Sequence, residues 1–232
     1  MSICAIWGAP QSGKTTLAVN LAHAISQGDK TVCLISPAAH SEMSAILRVE
    51  IKEDRSLRAA LRGNEGIRRT VTKINELFYV LAMPVSADTF DNDYSDEQAK
   101  RLLDLTRITF DFVLVDCPSQ PDNLIAAWSL NKADQVLLCM GGQVSCVLWH
   151  MANKKALQTV RSKTVYVGSE VSQALDNAAV YELLKCIPDV RIPYMKEACL
   201  LQSEGRFLFG QSGRKGRAYS RAINRLYGVM QS

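Results

Sequence analysis

No apolar run of about 18 residues occurs in the 232-residue chain, and its first residues lack the basic region and cleavage site of a secretory signal. We therefore expect neither a transmembrane helix nor a signal peptide. The seven cysteines include no C-x-x-C pair, and the three histidines lie far apart in the sequence. This scatter argues against a zinc site and favours a reducing compartment, so we expect a cytoplasmic protein.

Acidic residues are absent after Glu204, whereas six basic residues follow it. Residues 1–204 hold 21 basic and 23 acidic residues, so the net charge of +4 comes from the C-terminal part of the chain. The pattern of residues 215–232 predicts a basic amphipathic helix. Its expected apolar face consists of Ala218, Ala222, Ile223, Leu226, Val229 and Met230.

The basic residues of this region leave two interpretations open. The simpler one is a last helix that packs onto the protein with a solvated basic edge. The other is a surface that binds DNA phosphates or anionic lipid head groups, for which six phosphate contacts would give a log–log salt slope of roughly −5. The six residues are Arg206, Arg214, Lys215, Arg217, Arg221 and Arg225.

Short apolar segments rich in β-branched residues alternate with helical patterns along the chain. Such runs are typical of strands that are buried on both faces. We expect strands at 3–7, 31–35, 77–81, 112–115, 135–140, 164–167 and 190–192. We expect helices at 15–27, 43–62, 96–107, 121–131, 145–160, 176–186 and 215–230.

This alternation predicts an α/β fold with a mainly parallel, doubly wound sheet of about seven strands and helices on both faces. The length suits a single domain over residues 1–232. The acidic segment 88–97 shows no ligand spacing, and we expect it to be a solvated connection. Ligands of such sheets bind beyond the carboxyl ends of the strands.

Residues 8–15 read GAPQSGKT and match the phosphate-binding pattern G-x-x-x-x-G-K-[ST] between the first strand and the first helix. The glycines let the backbone curl so that its N–H groups surround the phosphates. Lys14 can reach the β- and γ-phosphates, and the Thr15 hydroxyl can ligate Mg²⁺. The expected nucleotide ligands are Gly8, Gln11, Ser12, Gly13, Lys14, Thr15 and Thr16.

A partner carboxylate is expected on a strand beside this loop, because phosphoryl transfer needs one to organise magnesium and its waters. The apolar strand 112–115 ends in Asp116, which precedes a proline-containing loop. We therefore expect Asp116 to hold Mg²⁺ through water and name Lys14 and Asp116 as the candidate catalytic residues. The alternative is an aspartate that only caps the next turn.

Several blocks resemble the ParA/MinD group of P-loop ATPases, which includes the CpaE or TadZ pilus-localisation proteins. They are Gly13-Lys14-Thr15-Thr16 with the helix residues 17–22, the strand segment 111–118, the segment 133–138, and residues 187–194. Their order and spacing carry the resemblance over almost the whole chain. It implies a P-loop ATPase fold, ATP and Mg²⁺ as ligands, an ATP-dependent homodimer and a protein partner.

The departures from the family pattern concern catalysis. Ala9 stands where relatives have a lysine that reaches into the partner's site, and Ser36-Pro37-Ala38 lacks the aspartate that helps to orient the attacking water. Ser169 lies near the place of an asparagine that contacts adenine, so Ser169 and Pro193 are the candidate base contacts. We expect nucleotide binding to be retained, with hydrolysis that is slow, partner-dependent or absent.

The resulting hypothesis is a nucleotide-dependent positioning or assembly protein, in pilus or secretion localisation or in DNA segregation. ATP would change the loops 36–44 and 116–121. One alternative is a nucleotide-binding scaffold without turnover. Another is a small-molecule kinase, for which candidate lid residues are Arg62, Arg68, Arg69, Arg101 and Arg107. The sequence does not decide between ATP and GTP, although the resemblance favours ATP.

Overall fold

The computed structural model describes residues 1–63, 65–87, 94–120 and 122–231. Its strands are β1 (Ser2–Gly8), β2 (Val32–Ile35), β3 (Thr72–Lys73), β4 (Phe78–Leu81), β5 (Phe112–Asp116), β6 (Gln135–Met140), β7 (Thr164–Ser169) and β8 (Val190–Ile192). They form one sheet in the order β3-β4-β2-β5-β1-β6-β7-β8. Every neighbouring pair is parallel except β3 and β4.

The helices surround this sheet. They are α1 (Lys14–Ser26), α2 (Met43–Leu47), α3 (Leu57–Arg62), α4 (Ile67–Thr70), α5 (Asp96–Thr109), α6 (Leu124–Lys132), α7 (Val144–Ala152), α8 (Lys154–Val160), α9 (Asn177–Leu183), α10 (Ala198–Ser203) and α11 (Gly213–Gln231). Two 3₁₀ turns lie at Glu53–Arg55 and Arg161–Lys163. No helix in the described part of the chain is long and apolar enough to cross a bilayer.

The mainly parallel α/β fold predicted from the sequence is confirmed, with eight described strands instead of about seven. The additional strand, β3, has only two residues and pairs antiparallel at the sheet edge. Two predicted helices are divided. Arg48 takes a left-handed conformation (φ 48°) that ends α2, and Asn153 separates α7 from α8. Residues 88–93 of the acidic segment and Pro121 lie outside the described residues.

Both faces of the sheet are covered, which explains why its strands are continuously apolar. In β1, Cys4 and Ile6 belong to one core cluster, together with Leu21 of α1 and Leu226 of α11. The alternate residues of β1 belong to a second cluster, with side chains from α3, α5 and α6. A single strand therefore supplies apolar side chains to two separate layers.

The central strands bring the candidate residues to one edge of the sheet. Ile6 in β1 lies opposite Asp116 in β5, and Gly8 lies opposite Cys139 in β6. On the other flank, Ser169 at the end of β7 lies opposite Ile192 in β8. Because these strands are parallel, their carboxyl ends meet at this edge, where α/β proteins bind ligands.

Candidate functional site

The loop between β1 and α1 has the backbone that its glycines predict. Gln11 and Gly13 both have left-handed φ angles, 57° and 77°. At Gly8 (φ 150°), an added Cβ would collide with the carbonyl oxygen of Cys139 in the neighbouring strand. A side chain at Gly8 would therefore displace the loop from β6.

The first turn of α1 is suited to an anion. Gly13 is the N-cap and offers no side-chain hydrogen bond to the helix, and the first turn contains no acidic residue. The initial N–H groups of a helix lack partners within it, and its N-terminus carries a partial positive charge. The N-terminus of α1 thus offers free backbone N–H donors and a positive potential to a phosphate.

Lys14 contacts two neighbours at the site. Its ammonium donates to the Ala9 carbonyl at 2.7 Å and to the Ser119 hydroxyl at 2.8 Å. Burial lowers the pKa of Lys14, while nearby acidic groups act in the opposite direction. Ser119 is in turn fixed through its carbonyl, which accepts from the Trp149 indole at 2.9 Å. Sequence reasoning missed Ser119, although it lies three residues after Asp116.

Thr15 and Asp116 form the oxygen pair of the site. The Thr15 hydroxyl donates to a carboxylate oxygen of Asp116 at 2.7 Å. Asp116 is only 8% exposed. Burial raises its pKa to about 6, against the opposing effects of the Thr15 hydrogen bond and the Lys14 charge. Hydroxyl and carboxylate oxygens are the donors that Mg²⁺ prefers, so the pair fits this ion with waters completing its shell.

Within the described ranges, no group of three or more His, Cys, Asp or Glu side chains could hold a metal ion.

A cleft of about 510 Å³ opens beside the loop. This volume lies in the usual range for small-molecule sites. The predicted residues that line it are Gln11, Ser12, Gly13, Lys14, Thr15, Thr16, Ser169 and Pro193. Gly8, the last residue of β1, is not among the lining residues. Asp116 reaches the site through its hydrogen bond to Thr15.

Sequence reasoning missed several other lining residues. Glu170 and Val171 follow Ser169, and Tyr194 to Lys196 follow Pro193, so their proximity to predicted residues could have indicated them. Tyr219 of α11 and Glu42 beside α2 carried no comparable signal. Gln202 of α10 donates to the Thr16 hydroxyl at 2.8 Å, a contact between residues 186 positions apart.

The five arginines suggested as kinase lid residues do not line the described cleft. Arg62 lies 3.8 Å from a carboxylate oxygen of Glu53, and Arg107 donates to Asp134 at 2.8 Å. Arg68 and Arg101 donate to backbone carbonyls of Thr109 and Leu61. The arrangement of these arginines thus gives no support to the kinase alternative.

Comparisons with known proteins agree with this geometry. A family model described as "AAA domain" matches residues 8–149. The search of curated proteins found no significant match. The cell division ATPase MinD of Pyrococcus furiosus has 18% identity and a TM-score of 0.78, with 99% of this chain and 100% of that chain covered.

Two further solved structures contain nucleotides. MinD of Pyrococcus horikoshii, complexed with Mg-ADP, has 16% identity, a TM-score of 0.79 and coverage of 99% and 97% of this and that chain. A putative plasmid partition protein from Borrelia burgdorferi, bound to AMPPNP, has 15% identity, a TM-score of 0.78 and 99% coverage of both chains. Together with the matched family model and the phosphate loop, these likenesses show that the chain belongs to the ParA/MinD family of P-loop ATPases.

Proposed function

We propose that this chain binds ATP with Mg²⁺ and acts as a nucleotide-dependent positioning or assembly protein. The observation that carries the proposal is the arrangement of Lys14, Thr15 and Asp116 at a cleft of suitable size. Family relatives have been seen with Mg-ADP and with AMPPNP, which supports the choice of ligand.

In this proposal Lys14 leaves the Ala9 carbonyl and Ser119 to bind the β- and γ-phosphates. The N–H groups of the loop and of the first turn of α1 surround the phosphates, with Thr16 at their edge. Thr15 and Asp116 hold Mg²⁺, Asp116 through water, and the bound ion neutralises phosphate charge. Ser169 and Pro193 contact the base from the other end of the cleft.

Hydrolysis is proposed to be weak or to depend on a partner. Ala9 is 1% exposed and belongs to a small apolar cluster with Met140, Cys146 and Tyr181, so nothing at this position reaches outward. The segment after β2 also lacks the carboxylate of the family pattern. The chain thus retains the residues expected to bind nucleotide but lacks two that the family pattern uses for hydrolysis.

The nucleotide is proposed to control an ATP-dependent homodimer and the binding of a protein partner. The loops after β2 and β5 lie next to the site, and Ser119 connects Lys14 to Trp149 of α7. Phosphate binding would break the Lys14–Ser119 contact and so alter that connection. A solved complex of MinC with MinD from Aquifex aeolicus is an example of a family member with a partner.

The exposed arginines of α11 are a proposed surface for DNA or anionic lipid.

The biological setting that we propose is pilus or secretion localisation or DNA segregation in the cytoplasm. We propose that a single domain spanning residues 1–232 carries out this role. The structural relatives include both cell division and plasmid partition proteins. A scaffold that binds nucleotide without turnover is the second candidate, because two catalytic features of the family pattern are missing.

Light scattering with and without ATP or an unreactive ATP analogue tests the switch. We expect a monomer without nucleotide and a dimer with the analogue and Mg²⁺, while Lys14→Ala stays monomeric and Lys52→Ala, an exposed control, behaves like the parent. Dimerisation without turnover would select the scaffold. A molar mass that is the same with and without nucleotide would contradict the proposed switch.

A further inference from the structure

Glu42 is an acidic residue of the cleft that the family pattern does not assign. Among the described residues, the acidic side chains lining the cleft are Glu42 and Glu170. Glu170 follows β7, whereas Glu42 follows β2 and thus lies on the β5 side of β1 in the sheet order. Glu42 therefore lies on the side of the phosphate loop where β5 ends in Asp116.

The sheet register explains this proximity. β2 and β5 are parallel neighbours, with Ile35 opposite Val115. The residues that follow this pair along the two strands are Ser36 and Asp116, which therefore lie next to each other. The chain that leaves β2 passes the Asp116 end of the sheet before α2 begins at Met43.

Several contacts fix the backbone on both sides of Glu42. Ser41 donates to the Ser36 hydroxyl at 3.1 Å, and the Met43 amide donates to the Ser41 hydroxyl at 3.3 Å. Met43 is itself 1% exposed and anchors the start of α2 in the core. Asn123, the N-cap of α6, donates to the Pro37 carbonyl at 2.8 Å. The backbone that carries Glu42 is thus fixed by hydrogen bonds on both sides.

The side chain of Glu42 remains available for a ligand. It is exposed and forms neither a hydrogen bond nor an ion pair with another described residue. A carboxylate can accept hydrogen bonds from water through two oxygens. Glu42 therefore offers the acceptor that residues 36–38 lack.

We propose that Glu42 orients the attacking water during nucleotide hydrolysis, in place of the carboxylate missing after β2. This inference rests on the proposed ATP binding. The water oxygen forms a bond to the γ-phosphorus as the bond from that phosphorus to the β–γ bridging oxygen breaks, and ADP leaves with the electron pair. One water proton stays on inorganic phosphate and the other is released to solvent. Glu42 accepts a hydrogen bond from the water and thereby positions it.

The test compares Glu42→Gln with Glu50→Gln, which changes an exposed glutamate outside the lining of the cleft. Single-turnover hydrolysis of ATP and binding of two probes are measured. The probes are an unreactive ATP analogue and ADP with aluminium fluoride, which mimics the transition state. We expect Glu42→Gln to slow hydrolysis and weaken the transition-state mimic, each by about 100-fold, because both depend on the positioned water.

The same variant should bind the unreactive analogue within about twofold of the parent, since Glu42 acts only in the transition state. Glu50→Gln should match the parent in all three measurements. Unchanged hydrolysis in Glu42→Gln, or equal losses of affinity for both probes, would each overturn the role of Glu42. If the parent alone shows no turnover, binding of ADP with aluminium fluoride decides, and equal affinity of the parent and Glu42→Gln for this mimic would overturn the role. A parent that fails to bind ATP would instead overturn the proposed function.

Discussion

Burial makes the ionised form of Asp116 costly in the nucleotide-free protein. In the folded protein the Asp116 carboxyl has a pKa of about 6, whereas its ordinary pKa is 3.8. The stability contributed by the neutral carboxyl is therefore full below pH 4 and lost as the pH rises through 6. At neutral pH the buried carboxylate destabilises the nucleotide-free protein, and Mg²⁺ binding would relieve that cost.

Asp116→Asn is expected to stabilise the nucleotide-free protein. Above pH 6 the gain should approach about 3 kcal/mol, because the amide stays neutral where the carboxyl ionises. Below pH 4 the two proteins should have equal free energies of unfolding. Urea unfolding at several pH values measures this, with Asp54→Asn as an exposed control. A gain that does not depend on pH would contradict the assigned cause.

Ala9 lies in a buried apolar site, so a lysine restored from the family pattern would not fit there without displacing its neighbours. A lysine there would have to enter the cluster with Met140, Cys146 and Tyr181. We expect Ala9→Lys to lower the free energy of unfolding by about 1–3 kcal/mol, as overpacking of a buried position usually does. Gln11→Lys places a lysine at an exposed position of the same loop and should cost less than about 0.5 kcal/mol. Equal stability of both variants, measured by urea unfolding, would refute this interpretation.

The buried side chain of Asn20 in α1 bonds to the C-terminal part of the chain. The Asn20 amide oxygen accepts from the backbone N–H groups of Leu208 and Phe209 at 2.6 and 2.9 Å. Its amide nitrogen donates to the Thr16 carbonyl at 2.8 Å. The phosphate-loop helix and the segment before α11 are thus joined through hydrogen bonds that sequence patterns did not indicate.

Asn20→Ala should reduce the free energy of unfolding by about 2–4 kcal/mol, because two backbone donors lose their acceptor. Asn224→Ala, on the exposed side of α11, is the matched control and should change it by less than about 0.5 kcal/mol. Chemical denaturation of the three proteins gives both values. A small effect of Asn20→Ala would mean that water replaces the lost acceptor.

α11 separates its two faces as the sequence pattern predicted. Ile223, Leu226 and Met230 are buried, while Ala218, Ala222 and Val229 of the predicted face are half-buried. Gly216 and Tyr219 were not predicted to be buried. Arg214, Lys215, Arg217, Arg221 and Arg225 are exposed, whereas Arg206 donates to Glu204 at 3.1 Å.

Five available cations predict a salt slope for binding to double-stranded DNA of about −4.5 on a log–log scale. Replacing Arg217, Arg221 and Arg225 with glutamine should reduce its magnitude by about 2.7. Glutamines at Lys52 and Arg55, which are exposed and lie outside α11, are the control and should leave the slope unchanged. Titrations at several salt concentrations measure the slope. Anionic lipid vesicles provide the parallel probe, and salt-independent binding to both would contradict an electrostatic surface.

Over the whole molecule, the sequence was most informative where a feature is local. The apolar strands depend on residues that are neighbours in the sequence, and the mainly parallel α/β fold that they predicted is confirmed. Breaks such as the left-handed Arg48 were not visible, because no glycine or proline marks them. Gln202 and Glu42 reach the site only through the tertiary fold, which periodicity does not encode, whereas Ser119 lies three residues after Asp116 in the sequence.

Equilibrium titration of ATP with Mg²⁺ into the parent, Lys14→Ala and Lys52→Ala tests the central claim, that this family member binds ATP through its phosphate loop. We expect the parent and Lys52→Ala to bind ATP equally well. Lys14→Ala should bind at least about tenfold more weakly, since a charge-assisted hydrogen bond to phosphate contributes more than 1.4 kcal/mol. A parent that does not bind ATP, or a Lys14→Ala variant that binds as tightly, would contradict it.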